Sequence, residues 1–358
     1  MAELAFRHEV IDDDPPGAHI DITLIADVDG DGRQDIIIGS KQGEANLWWY
    51  RNPGWEPHVM ALCPDLEAGG IVLDLNGNGR PDVVAGQQGN GNELYWFENP
   101  PDPTEPWTVR LIEDRFRKYH DQVVGDVDGD GEPEILIASQ RAGVIAYYDI
   151  PEDPTVSPWP RSSCHVVAED MPDVEGLAVV DIDGDGRTEI LAGPTILRPP
   201  DSLGGIWRHE PFAPGYVMTR VEVADLDGDA KLEIVLSEGE SHPGRLSICR
   251  QPYWEPEVLL DDLLHPHSLE IADFNGDGHP DIFVGEMGLG RNPDPRMIIM
   301  ANQGDGRFEP IVIQQGIPTH EAKVGDLTGD GRPDIVGKPY HPERHIDVWF
   351  NETSRNHR

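Results

Sequence analysis

Asp21, His120, Glu175, His267 and His320 share one position: each stands six residues ahead of an acidic loop that recurs seven times along the chain. The other two copies carry Ala68 and Thr219 there. Imidazole titrates near neutrality, so it is the usual general base and a common metal ligand, and an adjacent carboxylate sets its tautomer and basicity. Residues at one repeated position converge when the repeats surround an axis. The five would then form a ring in which one histidine could act as a general base held by a carboxylate. Alternatively, His267, His320 and Asp21 could ligate a divalent metal, with His120 and Glu175 as a facing arc. A single histidine is more often structural; three at one symmetric position favour a functional pocket.

The loops that set this position begin at Asp27, Asp74, Asp126, Asp181, Asp225, Asp273 and Asp326. Oxygen-bearing residues on alternate positions of a tight turn, with Gly where the backbone takes a positive φ, wrap a hard cation such as Ca²⁺. The candidate ligands are Asp27, Asp29, Asp31 and Asp35; Asp74, Asn76, Asn78 and Asp82; Asp126, Asp128, Asp130 and Glu134; Asp181, Asp183, Asp185 and Glu189; Asp225, Asp227, Asp229 and Glu233; Asp273, Asn275, Asp277 and Asp281; and Asp326, Asp330 and Asp334. Ile38 occupies the twelfth position of the first copy, so this is no EF-hand, and the ninth-position carboxylate is the expected closing ligand. These ions would be structural. Asn76 and Asn78 leave the second loop with the least charge and the weakest expected binding. Ala230, in place of the usual Gly, should weaken the fifth.

The loops start 44 to 55 residues apart. That period, carried by strand patterns, predicts an all-β, seven-bladed propeller formed by residues 1–358 as a single domain. Each repeat reads as a strand entering the loop (22–26, 122–125, 269–272), one leaving it (36–39, 135–138, 282–285), an aromatic third (47–50, 94–97, 145–148, 346–350) and an outer fourth. The last repeat ends without a fourth strand, and residues 6–11 resemble one, so the N-terminal strand should close the seventh blade. The fourth blade leaves little room for its outer strand between Trp207 and Asp225. The aromatic third strands are expected to pack blade against blade.

Composition bounds the rest. A net charge of −40 disfavours nucleic acid and anionic membranes as partners. Three cysteines without a CxxC imply neither a disulfide framework nor a zinc site. No signal peptide or apolar span is visible, the location is left open, and calcium loops fill most readily outside the cytoplasm. A monomer or weak oligomer is expected.

Six residues of strand cover roughly 20 Å, which places the titratable ring on the face opposite the loops. The second strands return to that face and end in Lys41, Gln87, Arg141, Glu238, Glu240, Glu286, Lys338, Tyr340 and His341. Glu222, Glu270 and Lys323 fall just inside.

The repeat Asp-x-Asp-Gly-Asp-Gly-x-x-Asp-Ile resembles the FG-GAP or VCBS repeat, the calcium-binding blade of integrin heads and many bacterial propellers. A narrower likeness lies in His265-Pro-His267-Ser-Leu-Glu270, Gly285-Glu286-Met287, Thr319-His320-Glu321-Ala-Lys323 and Gly337-Lys338-Pro339-Tyr340. These phrases are similar to the propellers of aldos-2-ulose dehydratase and L-rhamnose-α-1,4-D-glucuronate lyase. The resemblance implies a carbohydrate-active eliminase that takes a proton next to a carbonyl or carboxylate, at the channel mouth. His320, His267 and His120 are then the candidate bases, and Tyr340 or a second histidine the acid for the leaving oxygen. Arg220, Glu175, Lys338, Lys323, Glu286, Gln87 and Arg141 are the candidate substrate-binding residues. A non-catalytic propeller binding a glycan or protein on the same face is the alternative.

Overall fold

Short apolar runs punctuated by Gly and Pro cannot bury both faces alone; stacked as sheets around an axis they can. The computed structural model describes residues 4–43, 45–63, 65–201, 205–289 and 292–354, and in it the chain forms seven antiparallel sheets of four strands. The first blade comprises Gly17–Ala26, Asp35–Gly43, Leu47–Arg51 and Glu56–Ala61, in sequence order from the axis outward. Phe6–Asp12 pairs with Ile346–Asn351 and completes the seventh blade, as the sequence predicts. There His8 Nε2 lies 2.7 Å from the buried carboxylate of Asp347. The fourth blade has the short outer edge that its sequence implies: Arg208–Pro211, four residues, pairs with Thr195–Arg198.

The aromatic third strands do fill the space between blades. Trp49, Phe97 and Trp107 share one buried cluster spanning blades 1 and 2, and the indole N–H groups of Trp49 and Trp107 both donate to the Pro103 carbonyl. A tryptophan buried this way contributes several kcal/mol, on the order of 25 cal/mol per Å² of apolar surface.

A polar device repeats at these joints. Asn52, Asn99, Asn302 and Asn351 each follow a third strand, and each side-chain amide reaches the second loop residue of the preceding blade. The acceptors are the carbonyls of Leu327, Val28, Leu226 and Phe274, at 2.7 to 3.0 Å. The same amides also donate within their own blade, Asn99 to Pro81 O at 3.1 Å. Replacing Asn99 by Ala would leave two buried carbonyls without donors. A stability loss of about 2–3 kcal/mol is expected, measured as a lower urea midpoint at unchanged slope.

The innermost strands position the titratable ring, and two of them are irregular there. The register of Gly17–Ala26 shifts between Ile20 and Ile22, and that of Tyr119–Gly125 between Tyr119 and Asp121. A bulge inserts one residue and re-aims the side chains beside it, a device found near functional sites. Gly69, at φ 78°, permits the tight fit: a Cβ there would lie 2.4 Å from the His120 carbonyl.

Candidate active site

The five repeated residues all lie in the interior of the ring. Asp21, His120, Glu175, His267 and His320 are at most 4% exposed. The His267 ring centroid stands 4.5 Å from that of His320 and 6.1 Å from that of His120. The set therefore forms a buried plug across the axis rather than an open rim.

Two residues the sequence reading did not select complete it. The carboxylate of Asp121 lies 2.7 Å from His120 Nδ1, and that of Glu321 lies 3.0 Å from His267 Nδ1. Arg220 joins the two acids, 2.8 Å from Asp121 and 3.4 Å from Glu321. With each Nδ1 facing its own carboxylate, both Nε2 atoms turn to Glu175, at 3.4 Å from each of its oxygens. Gln140 Nε2 donates to Glu175 at 2.7 Å and orients it. Neither His267 nitrogen nor Glu175 Oε2 has a well-aligned hydrogen bond.

The electrostatics follow from these contacts. Burial opposes charge on His120, but Glu175 and Asp121 outweigh it and carry the imidazole up to about 9. Burial likewise opposes charge on His267, and Glu175 with Glu321 lifts it to about 10. Against burial, Arg220 and the paired histidines hold Asp121 and Glu321 far below the usual carboxylate range. His320 goes the other way: burial, then the nearby His267 and Lys338, push it well below ordinary histidine, so it is neutral. Its Nδ1 lies 3.2 Å from Asp21. Lys338 is fully buried and donates to the His320 carbonyl at 2.5 Å; burial brings its ammonium down to about 7. Tyr340 packs against His320 with centroids 4.6 Å apart and ring planes tilted by 50°, and its hydroxyl lies 3.4 Å from Lys41 Nζ.

Some expected residues sit elsewhere. Glu286 is withdrawn from the mouth: Arg296 and the Leu264 N–H take up its carboxylate. Gln87 spends its amide oxygen on the Asn92 and Glu93 N–H groups of its own turn. Lys323 pairs with Glu270 at 2.6 Å and lines, with Arg220, Glu222 and Glu321, a cavity of about 100 Å³ below the plug on the loop side. Arg141 is exposed on the rim, bonded to Asn90 Oδ1 at 2.6 Å. Two buried sets of candidate metal ligands come together, His120 with Glu175 and His267, and His267 with His320 and Glu321, the ligand atoms of each set within 4.8 Å of one another. Asp21, expected beside His267 and His320, lies 3.2 Å from His320 Nδ1 and is also paired with Lys41 at 2.6 Å.

On the other face, the first, third and ninth positions converge in the loops at Asp27, Asp126 and Asp181, as a cation site requires. Ala230 takes φ 67° where Gly32 takes 88°, a strained state for a residue with a Cβ. An arginine from the third strand enters some loops: Arg51 lies 2.6 Å from Asp29, and Arg198 lies 2.7 Å from Asp183 and 3.1 Å from Glu189. A guanidinium on a ligand carboxylate competes with an ion. Calcium should therefore raise the melting temperature of wild type, and Asp126→Ala should remove more of that shift than Asp183→Ala in calcium-dependent melts. A surface depression of about 960 Å³ lies on this face beside Asp126 and Arg187, away from the plug.

Fold and loops together define a repeat propeller. The FG-GAP-like repeat family matches residues 74–137, 126–192 and 273–337, a little over half of the chain, and the protein belongs to that family. No curated protein sequence matches it. Among solved structures, the V. cholerae biofilm matrix protein Bap1 aligns at 12% identity and TM-score 0.55, covering 98% of this chain and 92% of that one. The rhamnogalacturonan lyase YesW aligns at 15% identity and TM-score 0.55, covering 98% of this chain and 77% of that one. At such identities the likeness is one of fold. Among the described residues no helix is long and apolar enough to cross a membrane.

Proposed function

We propose that this protein is a carbohydrate-active eliminase working at the histidine plug. The observation that carries the reading is the geometry of three neighbouring buried imidazoles: His320 Nδ1 lies 3.2 Å from Asp21, while His120 and His267 both turn Nε2 to Glu175. A neutral imidazole is a competent base for a proton next to a carboxylate or carbonyl, and cationic groups alongside stabilise the enolate-like charge that develops. Lys338, with one backbone acceptor and donors to spare, is the group for that charge. Tyr340, whose ring packs at a tilt against His320, would protonate the leaving oxygen.

A divalent metal fits the same residues. The ligand atoms of His120, Glu175 and His267 lie within 4.8 Å of one another. Each Nε2 stands 3.4 Å from a different oxygen of Glu175, long for a hydrogen bond. Two imidazoles and a carboxylate are a ligand set that a divalent ion such as zinc accepts. Bound there by His120, His267 and Glu175, the ion would act as a Lewis acid toward the carbonyl or carboxylate oxygen.

The reading draws support from the motif likeness and from a structural neighbour that is a polysaccharide lyase. Its test is the ultraviolet absorbance of an unsaturated product on incubation with uronic-acid glycans and 1,5-anhydrofructose, with and without chelator, alongside metal analysis. A second reading, glycan or protein binding without chemistry, draws on the near-complete burial of the plug. Absence of product across the panel from folded, calcium-loaded protein would favour it.

A further inference from the structure

A chain of net charge −40 carries one conspicuous basic run, Arg115-Phe-Arg117-Lys118, in the turn that leads into His120. Backbone contacts bring three segments together there: the Lys118 N–H donates to Gly91 O at 3.1 Å, the Gln140 N–H donates to Lys118 O at 2.9 Å, and Ser139 Oγ donates to Arg117 O at 2.7 Å. The result is an arc across blades 2 and 3 that presents Arg117, Lys118 and Arg141.

These cations are available. Arg117 is exposed and its side chain has no acidic partner among the described residues, in contrast to Arg115, which Glu113 holds. Lys118 has only a long contact, 4.0 Å to Glu67, whose other oxygen is engaged by Lys41 at 2.6 Å. Arg141 touches only the neutral Asn90. Of the acids nearby, Glu93 bonds the Tyr95 hydroxyl and Glu113 and Asp114 pair with Arg161, while the exposed Asp65 and Asp173, whose backbones bond Gln88 and Gln140, flank the arc. Lys118 also holds φ 60°, a conformation that a non-glycine residue keeps only where the surroundings impose it. Interleaved with the cations are amide side chains, Gln88, Asn90 and Asn92, on the same turn. Free guanidinium and ammonium groups bind carboxylates or sulfates, and planar amides match hydroxyl groups.

From this arrangement we infer that Arg117, Lys118 and Arg141 form an anion-recognising subsite for an acidic, hydroxylated oligosaccharide lying across the rim beside the plug. It rests on the proposed carbohydrate function for the identity of the ligand, and on its own geometry for the charge. The acidic loops on the far face do not cancel the arc, because salt screens charges beyond about 8–10 Å at ordinary ionic strength.

The test uses the full chain and three probes of matched size: oligogalacturonate, sulfated dextran and neutral dextran, in calorimetric titrations at two salt concentrations. The variant combines Arg117→Ser, Lys118→Asn and Arg141→Ser, all at exposed or half-exposed positions, with Asn chosen for its tolerance of positive φ. One or both acidic probes should bind wild type in a salt-sensitive manner and bind the variant about tenfold more weakly, as three exposed charge contacts allow. Preference between the two distinguishes carboxylate from sulfate recognition. Equal binding to wild type and variant, or no binding of either acidic probe at low salt, would overturn the inference. Binding lost in the triple variant but kept in His320→Gln would uphold the subsite even if no elimination is found. Elimination with no loss of affinity in the triple variant would do the reverse.

Discussion

His320→Gln is expected to lower turnover of a responsive glycan by about 10²- to 10⁴-fold, the usual range for removing a general base, with KM little changed. The His320 imidazole sits against the Tyr340 ring, tilted by 50° with centroids 4.6 Å apart, and has a carboxylate 3.2 Å from its Nδ1. Glutamine keeps much of the volume and the polarity facing Asp21 but cannot accept the proton. The measurement is the initial rate of ultraviolet absorbance, with a melting curve to show that the fold persists. His267→Gln should lose activity as well, and in a metal-loaded protein it should also lose the bound ion. A His320→Gln protein as active as wild type would move the base to another residue.

The second large effect is on stability. Arg220→Met should cost about 3–5 kcal/mol, the typical consequence of removing one partner from a buried charge network. Arg220 is the sole guanidinium bridging Asp121 and Glu321, both 3–4% exposed, and its loss leaves two carboxylates facing each other. Burial disfavours the Arg220 charge, yet the carboxylates around it, Asp121 first, drive its pKa up, so the guanidinium never releases its proton. Adding Asp121→Asn and Glu321→Gln to Arg220→Met should recover much of the loss, read from urea unfolding. Failure of the triple variant to recover would assign the role of Arg220 to packing.

The fold was legible because the same acidic turn recurs with strand patterns on both sides, and a period cannot be imitated by chance seven times. Offset counting from those turns also found Asp21, His120, Glu175, His267 and His320. It missed Asp121 and Glu321 because adjacent residues of a regular strand face opposite ways. The register shift at Tyr119 to Asp121 and the positive φ of 49° at Glu321 break that rule. The doublets His120-Asp121 and His320-Glu321 were the available signal. The fate of Glu286 was hidden for a different reason: its partner Arg296 comes from the neighbouring strand of the same blade, and strand ends give no register from sequence alone. The short outer strand Arg208–Pro211 matches the limited room that the sequence leaves between Trp207 and Asp225.

The asparagine ties described above also divide the ring unevenly. Asn52 fastens blade 1 to blade 7, Asn99 blade 2 to blade 1, Asn302 blade 6 to blade 5 and Asn351 blade 7 to blade 6, while Gln251 reaches from blade 5 to the Ile182 carbonyl of blade 4. Among the described residues, neither flank of blade 3 has this fastening. Blade 3 is joined to blade 2 by other means, paired bonds between Leu111 and Ser157 and the ion pairs of Arg161 with Glu113 and Asp114. That blade also supplies His120, so a ligand on the rim would meet a joint sewn by side-chain charges, and added salt should loosen this seam before the asparagine-tied ones.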